Sequence, residues 1–169
     1  MAAAQSTDHE IKHLEKTPLG PLTIYCTGEG LARIAFGLFD EVHSGKPDLE
    51  KLAETVCQEL VEYFYAGRRA FSVPLDWGGM RPYQEVVLRA CYQIPCGQTI
   101  SYGELAASTG RGRAGARAVG SIMARNPIPI VIPCHRVVGA DGRLHGYGSP
   151  GGVRDKAFLL ALERQRIVA

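Results

Sequence analysis

The chain has 169 residues, 46% of them hydrophobic, and a formal net charge of +2. That length holds one domain or two small ones, with enough apolar mass for a core that needs no disulfide or metal staple. No apolar run approaches membrane-spanning length, which excludes an integral helical membrane protein. Cys26, Cys57, Cys91, Cys96 and Cys134 form no CxxC pair. With no leader pattern at the start, they lead to the expectation of free thiols in a reducing cytoplasm. The small net charge hides an asymmetry. Residues 1–76 carry 7 Lys+Arg against 12 Asp+Glu, a net of −5, and residues 77–169 carry 12 against 5, a net of +7. Eleven of those twelve cations are Arg. The guanidinium fork suits phosphate and base edges, so the second half reads as a nucleic-acid surface.

Met1–Ser6 reads as a loose end. A turn at Thr17–Pro21 leads into a strand at Leu22–Cys26. Gly28-Glu29-Gly30 turns the chain back into an alternating strand at Leu31–Phe36, which predicts a hairpin. A polar connection spans residues 39–47. A helix then starts at Asp48 as N-cap and stops at Gly67, with Leu49, Leu52, Ala53, Val56, Leu60, Tyr63 and Phe64 on one face. Phe71–Leu75 predicts one more short strand. His9, His13, Cys26 and His43 match no standard zinc spacing, so no metal is expected.

Trp77-Gly78-Gly79-Met80 is the linker, which sets two domains at 1–76 and 77–169. Pro82 opens a helix with Tyr83, Val86, Val87, Ala90, Cys91 and Ile94 at apolar helical spacing. Ser101 and Glu104 form a capping box for a short helix that stops at Gly110. A Gly- and Arg-rich turn leads to a second helix from about residue 114 to 125. Arg113, Arg117, Ser121 and Ala124 fall on one side of it, and Val119, Ile122 and Met123 on the other. Two short helices joined by a glycine-containing turn on a basic half predict a helix-turn-helix. Arg117 projects from a face with little other bulk, which can approach a groove closely.

The apolar run Ile128–Ile132 predicts a buried strand that ends at Pro133-Cys134-His135-Arg136. A thiol next to an imidazole and a guanidinium is a candidate nucleophile, because such neighbours favour the thiolate. Neighbours on an extended chain point to opposite sides. Either the backbone turns at Cys134 or a water bridges the two groups. Residues 139–143 form a turn, and His145–Gly152 a glycine-rich loop with backbone NH groups free for a ligand. The last helix runs from about residue 153 to 166. Its apolar run from Ala157 to Leu162 predicts burial, and Glu163 by default is a solvated surface carboxylate.

The segments Ile94–Thr99, Ser101–Glu104, Arg117–Gly120, Asn126-Pro127 and Ile132–Val137 together resemble the methylated-DNA–protein-cysteine methyltransferases, also called O6-alkylguanine-DNA alkyltransferases. The resemblance covers about residues 81 to 163. It implies an α+β fold: a small N-terminal α/β domain of ribonuclease H type, and a helical C-terminal domain with a winged-helix-like helix-turn-helix. It implies stoichiometric, single-turnover transfer of an alkyl group from O6-alkylguanine, and from O4-alkylthymine, to Cys134 after nucleotide flipping. His135, through a water, would be the base, Glu163 would orient it, and Tyr102 would help rotate the nucleotide and protonate the leaving guanine. Arg117, Arg113, Ser121, Ala118 and Arg136 would contact DNA, with Arg117 as the intercalating finger. Asn126 and Pro133 would hold the joint before the thiol, and Tyr147, Gly148 and Ser149 would wall the base pocket. Two stretches are longer than the family pattern, one between Tyr102 and Arg117 and one around Ser149-Pro150. No cofactor is implied. The partner is double-stranded DNA with alkylated bases, with no membrane, engaged by a cytoplasmic monomer, nucleoid-associated in a bacterium or archaeon, with cooperative loading left open. The alternatives are a lesion-binding sensor or regulator that repairs nothing, a cysteine hydrolase, and a sequence-specific transcription factor.

Overall fold

A computed structural model of the chain describes residues 9–40 and 44–165. It divides into two compact units, Met1–Gly78 and Gly79–Ala169. Among the described residues no helix is long and apolar enough to cross a membrane.

The first unit is an antiparallel sheet of β1 (Glu10–Leu14), β2 (Leu22–Thr27) and β3 (Gly30–Phe36), in that order, with α1 (Pro47–Tyr65) packed on it. The expected hairpin is β2–β3, with Leu22 opposite Phe36 and Thr27 opposite Gly30. Strand β1 has no clear signal in the sequence, because Lys12 and His13 interrupt its apolar alternation. Phe71–Leu75 is not a strand. It meets β3 at a single bridge, where Leu31 N donates to Pro74 O (2.8 Å) and Asp76 N to Leu31 O (2.9 Å). Gly30, at φ +143°, makes that approach possible, since a Cβ there would stand 2.5 Å from Pro74 O.

Helix α1 starts one residue earlier than its acidic cap signal. Pro47 is the first helical residue and Lys46 the cap, with no side-chain capping bond. Its buried face is the predicted one, with Leu52 only half-buried and with one addition, Glu59. That carboxylate accepts from Ser72 N (2.9 Å), from the Ser72 hydroxyl and from Arg68 Nη1 (3.2 Å). Burial of a charge is tolerable only with such partners.

The second unit is helical. Helix α2 (Pro82–Tyr92) buries Val87, Leu88 and Cys91, while Val86 is exposed. The buried stripe is thus rotated from the predicted one, with Leu88 inside and Val86 outside. A two-residue strand β4 (Ile100–Ser101) pairs in parallel with β5 (Val137–Val138). Helix α3 (Tyr102–Ser108) carries both capping-box bonds, Ser101 Oγ accepting from Glu104 N (3.1 Å) and Glu104 Oε2 from Ser101 N (2.9 Å). A 3₁₀ turn at Arg113–Gly115 precedes α4 (Ala116–Met123), which is shorter at both ends than expected and packs on α3. Helix α5 (Val153–Gln165) ends the described chain.

The resulting fold class is the expected one: a small N-terminal α/β unit followed by a helical unit with a helix-turn-helix. Replacement of Ser101 by Ala should lower stability by about 1 kcal/mol in urea unfolding, and Ser101→Thr should restore most of it. An unchanged midpoint for Ser101→Ala would mean that the box contributes nothing to α3.

Candidate functional site

The apolar run before the thiol is buried but is not a strand. Residues 127–132 fold into a tight turn, with Ile132 N donating to Ile128 O (2.9 Å) and a bridge between Pro129 and Ile132. Two prolines remove the donors that a central strand needs. Ile130, fully buried, takes φ +75°, a costly conformation for a β-branched residue. Asn126 clamps this turn: its Nδ2 donates to Ile132 O (2.8 Å), and its Oδ1 accepts from Ile128 N (3.0 Å).

Pro133 then caps a single 3₁₀ turn, Cys134–Arg136. Successive side chains in a 3₁₀ turn are rotated by about 120°, not the 180° of a strand. The backbone therefore turns at Cys134, without a direct hydrogen bond between the thiol and His135 Nδ1. His135 is fully buried, and its Nε2 donates to Glu163 Oε1 (2.8 Å). Arg136 grips the same carboxylate with Nε to Oε2 and Nη2 to Oε1 (both 2.9 Å), and Nη1 donates to Ile94 O. Gly97 N adds a fourth donor to Oε2 at 3.0 Å.

Burial alone would raise the Glu163 pKa, but the hydrogen bonds from His135 and Arg136 outweigh it and hold the carboxyl well below the usual carboxylate range. For His135, burial wins over the raising influence of Glu163, and its pKa falls below 6.5. A neutral imidazole that donates from Nε2 keeps a lone pair on Nδ1. Among the described residues Nδ1 has no hydrogen-bond partner.

Glu163 is thus not a surface residue. Helix α5 turns Lys156, Leu159, Leu160 and Glu163 inward at helical spacing, and leaves Ala157, Phe158 and Ala161 of the apolar run outside. Lys156, 1% exposed, is a site residue that the sequence reading does not single out. Its Nζ donates to Val137 O (2.7 Å) and to Tyr102 Oη (3.3 Å). The signal is present, as a lysine three and seven residues from Leu159 and Glu163 on one stripe. Cys134 is 6% exposed, and burial pushes its thiol pKa up; a hydrogen bond from Asn126, the Lys156 charge and backbone NH groups act the other way. Burial also raises Tyr102, with the field of Cys134 adding to it.

Next to this network is a cavity of about 490 Å³, walled by Tyr102, Arg117, Gly120, Met123, Tyr147 and Gly148 among others. That volume lies in the range of small-molecule sites. Gly120 leaves its side open: a Cβ there would touch the Tyr102 ring at 3.9 Å. Tyr147 stands edge-on to His135, with ring centroids 6.4 Å apart.

The predicted residues therefore converge unevenly. Cys134, His135 and Glu163 belong to one buried cluster, to which Tyr102 is tied through Lys156. Arg117, Tyr147 and Gly148 line the cavity. Ser149 is buried and does not line it. Arg113 is exposed at the start of the 3₁₀ turn. Ser121 and Ala118 border a different hollow from the one lined by Arg117. Arg136 is wrong as a DNA contact, because its guanidinium is buried against Glu163 and Ile94. No group of three or more His, Cys, Asp or Glu that could hold a metal occurs among the described residues, and His43 lies outside them.

Comparison with known proteins agrees with this architecture. Residues 82–165 match the "6-O-methylguanine DNA methyltransferase, DNA binding domain" and residues 11–77 the "6-O-methylguanine DNA methyltransferase, ribonuclease-like domain". The chain belongs to the 6-O-methylguanine DNA methyltransferase family. A methylated-DNA–protein-cysteine methyltransferase of Mycobacterium leprae is 40% identical over 157 residues, 90% of this chain and 91% of that protein. One from Methanosarcina mazei is 38% identical, over 92% of this chain and 98% of that protein. The crystal structure of Mycobacterium tuberculosis OGT in complex with DNA superposes with a TM-score of 0.77 at 36% identity, covering 95% of this chain and 94% of that one.

Glu163→Gln removes the charge that Arg136 and His135 surround. Stability should fall by about 3–5 kcal/mol, measured by denaturant unfolding at pH 7. In the wild type the folded Glu163 pKa lies below its ordinary 4.5. Its contribution is therefore present above pH 4.5 and is lost progressively as the pH falls from there through the lower folded value. A loss under about 1 kcal/mol for Glu163→Gln would mean that the carboxylate is not the anchor.

Proposed function

We propose that this protein repairs alkylated DNA directly, by moving the alkyl group of O6-alkylguanine, and of O4-alkylthymine, onto Cys134. The observation that carries this reading is the thiol next to a neutral His135 that is locked to Glu163, beside a cavity into which the DNA-type helix α4 extends Arg117. A lesion on a base edge is out of reach inside a duplex. The nucleotide has to be extruded, at a cost of a few kcal/mol, and Arg117 fills the gap left in the stack. The extruded base enters the cavity between Tyr102 and Tyr147.

The Cys134 proton passes through a water to His135 Nδ1, the free lone pair of the imidazole. The thiolate sulfur attacks the alkyl carbon, a C–S bond forms, and the C–O6 bond breaks. Its electrons return to the guanine, which takes a proton from Tyr102. Lys156, hydrogen-bonded to Tyr102, supports the negative charge left on the phenol. The product is a thioether with no route back, so each molecule acts once. Docking on backbone phosphates without base reading fits lesions that occur in any sequence. The protein acts as a monomer on duplex DNA in the cytoplasm and nucleoid of its cell. A sensor that only holds the lesion would need no thiol in such a network, which favours transfer over mere binding.

After incubation with a methylated duplex, mass spectrometry should find one methyl on Cys134 and a stoichiometry that never exceeds one per protein; no gain at Cys134 refutes transfer. Arg117→Ala should slow repair of a duplex lesion by about ten-fold, roughly 1.4 kcal/mol of transition-state stabilisation, and leave reaction with free O6-benzylguanine nearly unchanged. Equal losses on both substrates would remove the finger role. Because the folded His135 pKa lies below 6.5, the acid-side half-point of the rate with free O6-benzylguanine should fall below pH 6.5. A fall already complete at pH 6.5 would exclude neutral His135 as the base.

A further inference from the structure

Helix α4 separates two hollows. One flank, with Arg117, Gly120 and Ala124, borders the base cavity; the other, with Ala118, Ser121, Ile122 and Arg125, borders a second hollow of about 480 Å³ closed by Arg81, Tyr83 and Gln84 of the α2 N-terminus. The second hollow is basic at both rims. Arg81 and Arg125 are exposed, and Arg125 Nη2 donates to Ser121 Oγ. Arg111 adds a third guanidinium, stacked 3.9 Å above the Tyr83 ring centre, while Tyr83 Oη shares a hydrogen bond with Thr109 (3.2 Å). The carboxylate nearest in sequence, Glu85, is engaged by Arg89 (2.8 Å). A helix that lies in a groove of duplex DNA has one strand along each flank. The flank with the cavity takes the strand whose nucleotide is extruded. The other flank then lies along the unbroken strand.

We infer that the hollow between α2 and α4 is a docking surface for the sugar–phosphate backbone of the complementary, undamaged strand, held by Arg81 and Arg125 with Arg111 beside them. This rests on the proposed reading of α4 as the DNA helix. It gives the two flanks separate tasks: one receives the lesion, and the other holds the duplex in place while the base leaves the stack.

The test compares wild type with Arg81→Gln/Arg125→Gln on the same O6-methylguanine oligonucleotide, as a single strand and as a duplex, with methyl transfer to Cys134 read by mass spectrometry and binding by fluorescence anisotropy across a salt series. For the double variant, the duplex reaction at sub-saturating protein should fall about ten-fold, and the log–log salt slope for the duplex should shrink by nearly two, about 0.9 for each phosphate no longer neutralised. The single-strand reaction and the reaction with free O6-benzylguanine should be unchanged, which also reports that the variant is folded. Equal losses on single strand and duplex, or no loss on either, would overturn the assignment. If the wild type itself methylates no cysteine on either substrate, the repair reading fails first, and that result is distinct from a failure confined to the variant.

Discussion

One buried carboxylate ties the second unit together. Glu163 accepts four hydrogen bonds, from the 3₁₀ turn (His135 and Arg136) and from the loop after α2 (Gly97). A fully buried Glu would ordinarily be neutral or avoided. Here the donors keep it charged, and the charge in turn fixes three things. It selects the His135 tautomer with Nε2 protonated, it sets the plane of the Arg136 guanidinium through a bidentate grip, and it fastens α5 to the turn that carries the thiol. Remove the charge and Arg136 becomes an uncompensated cation in the interior.

Helix α4 follows a different logic, that of small residues. Ala116, Gly120 and Ala124 keep much of its cavity side low, so Arg117 and Met123 are the long groups there. Val119, fully buried, anchors the helix to the body of the unit. An eight-residue helix is too short to be stable by itself, so its position is set by what it packs against. The 3₁₀ turn ahead of it and α3 provide that support. The helix is thus a thin ridge with two usable flanks, which a bulkier sequence would have filled in.

Local rules are readable in the sequence; long-range partners are not. The capping box at Ser101 and Glu104 depends on four consecutive residues, and both bonds are present. The β2–β3 hairpin depends on alternation and a turn, and the two strands pair antiparallel, with a register shift between Tyr25 and Cys26 that alternation does not announce. The run Ile128–Ile132 misleads because apolarity reports burial, and a strand and a buried turn bury alike. Only the positive φ of Ile130 and the two prolines distinguish them, and the prolines are visible in the sequence. On α5 the apolar run is a poor guide: Ala157 to Leu162 looks continuous, yet the inward line runs through Lys156 and Glu163. Charge at those positions argues for solvent, and their true partners lie 19 and 28 residues away in sequence, at Val137 and His135. Arg136 illustrates the same limit, since an arginine beside a thiol in a basic half looks like a phosphate ligand until its carboxylate is located. The roles of Glu163 and Asn126 come from family resemblance, which carries the long-range information that composition and spacing lack.

The environment of Cys134 also explains why a single-use thiol would be built this way. An exposed thiolate is open to oxidation and to any small electrophile, and a protein that reacts once is lost to each such event. Burial raises the thiol pKa and so favours the protonated, less nucleophilic form of the resting sulfur. Asn126, Lys156 and the backbone NH groups of the 3₁₀ turn lower the energy of the thiolate without exposing it. On the proposed reaction, selectivity then comes from access. The sulfur meets an electrophile that enters by the cavity, and what enters is set by the walls of that cavity, Tyr102 and Tyr147 among them, rather than by the thiol's own reactivity. A more acidic Cys134 on the surface would react faster with everything and would gain nothing in its preference for a base lesion. A guarded, weakly acidic thiol places the discrimination in the extrusion of the nucleotide, which costs least when base pairing is already weakened.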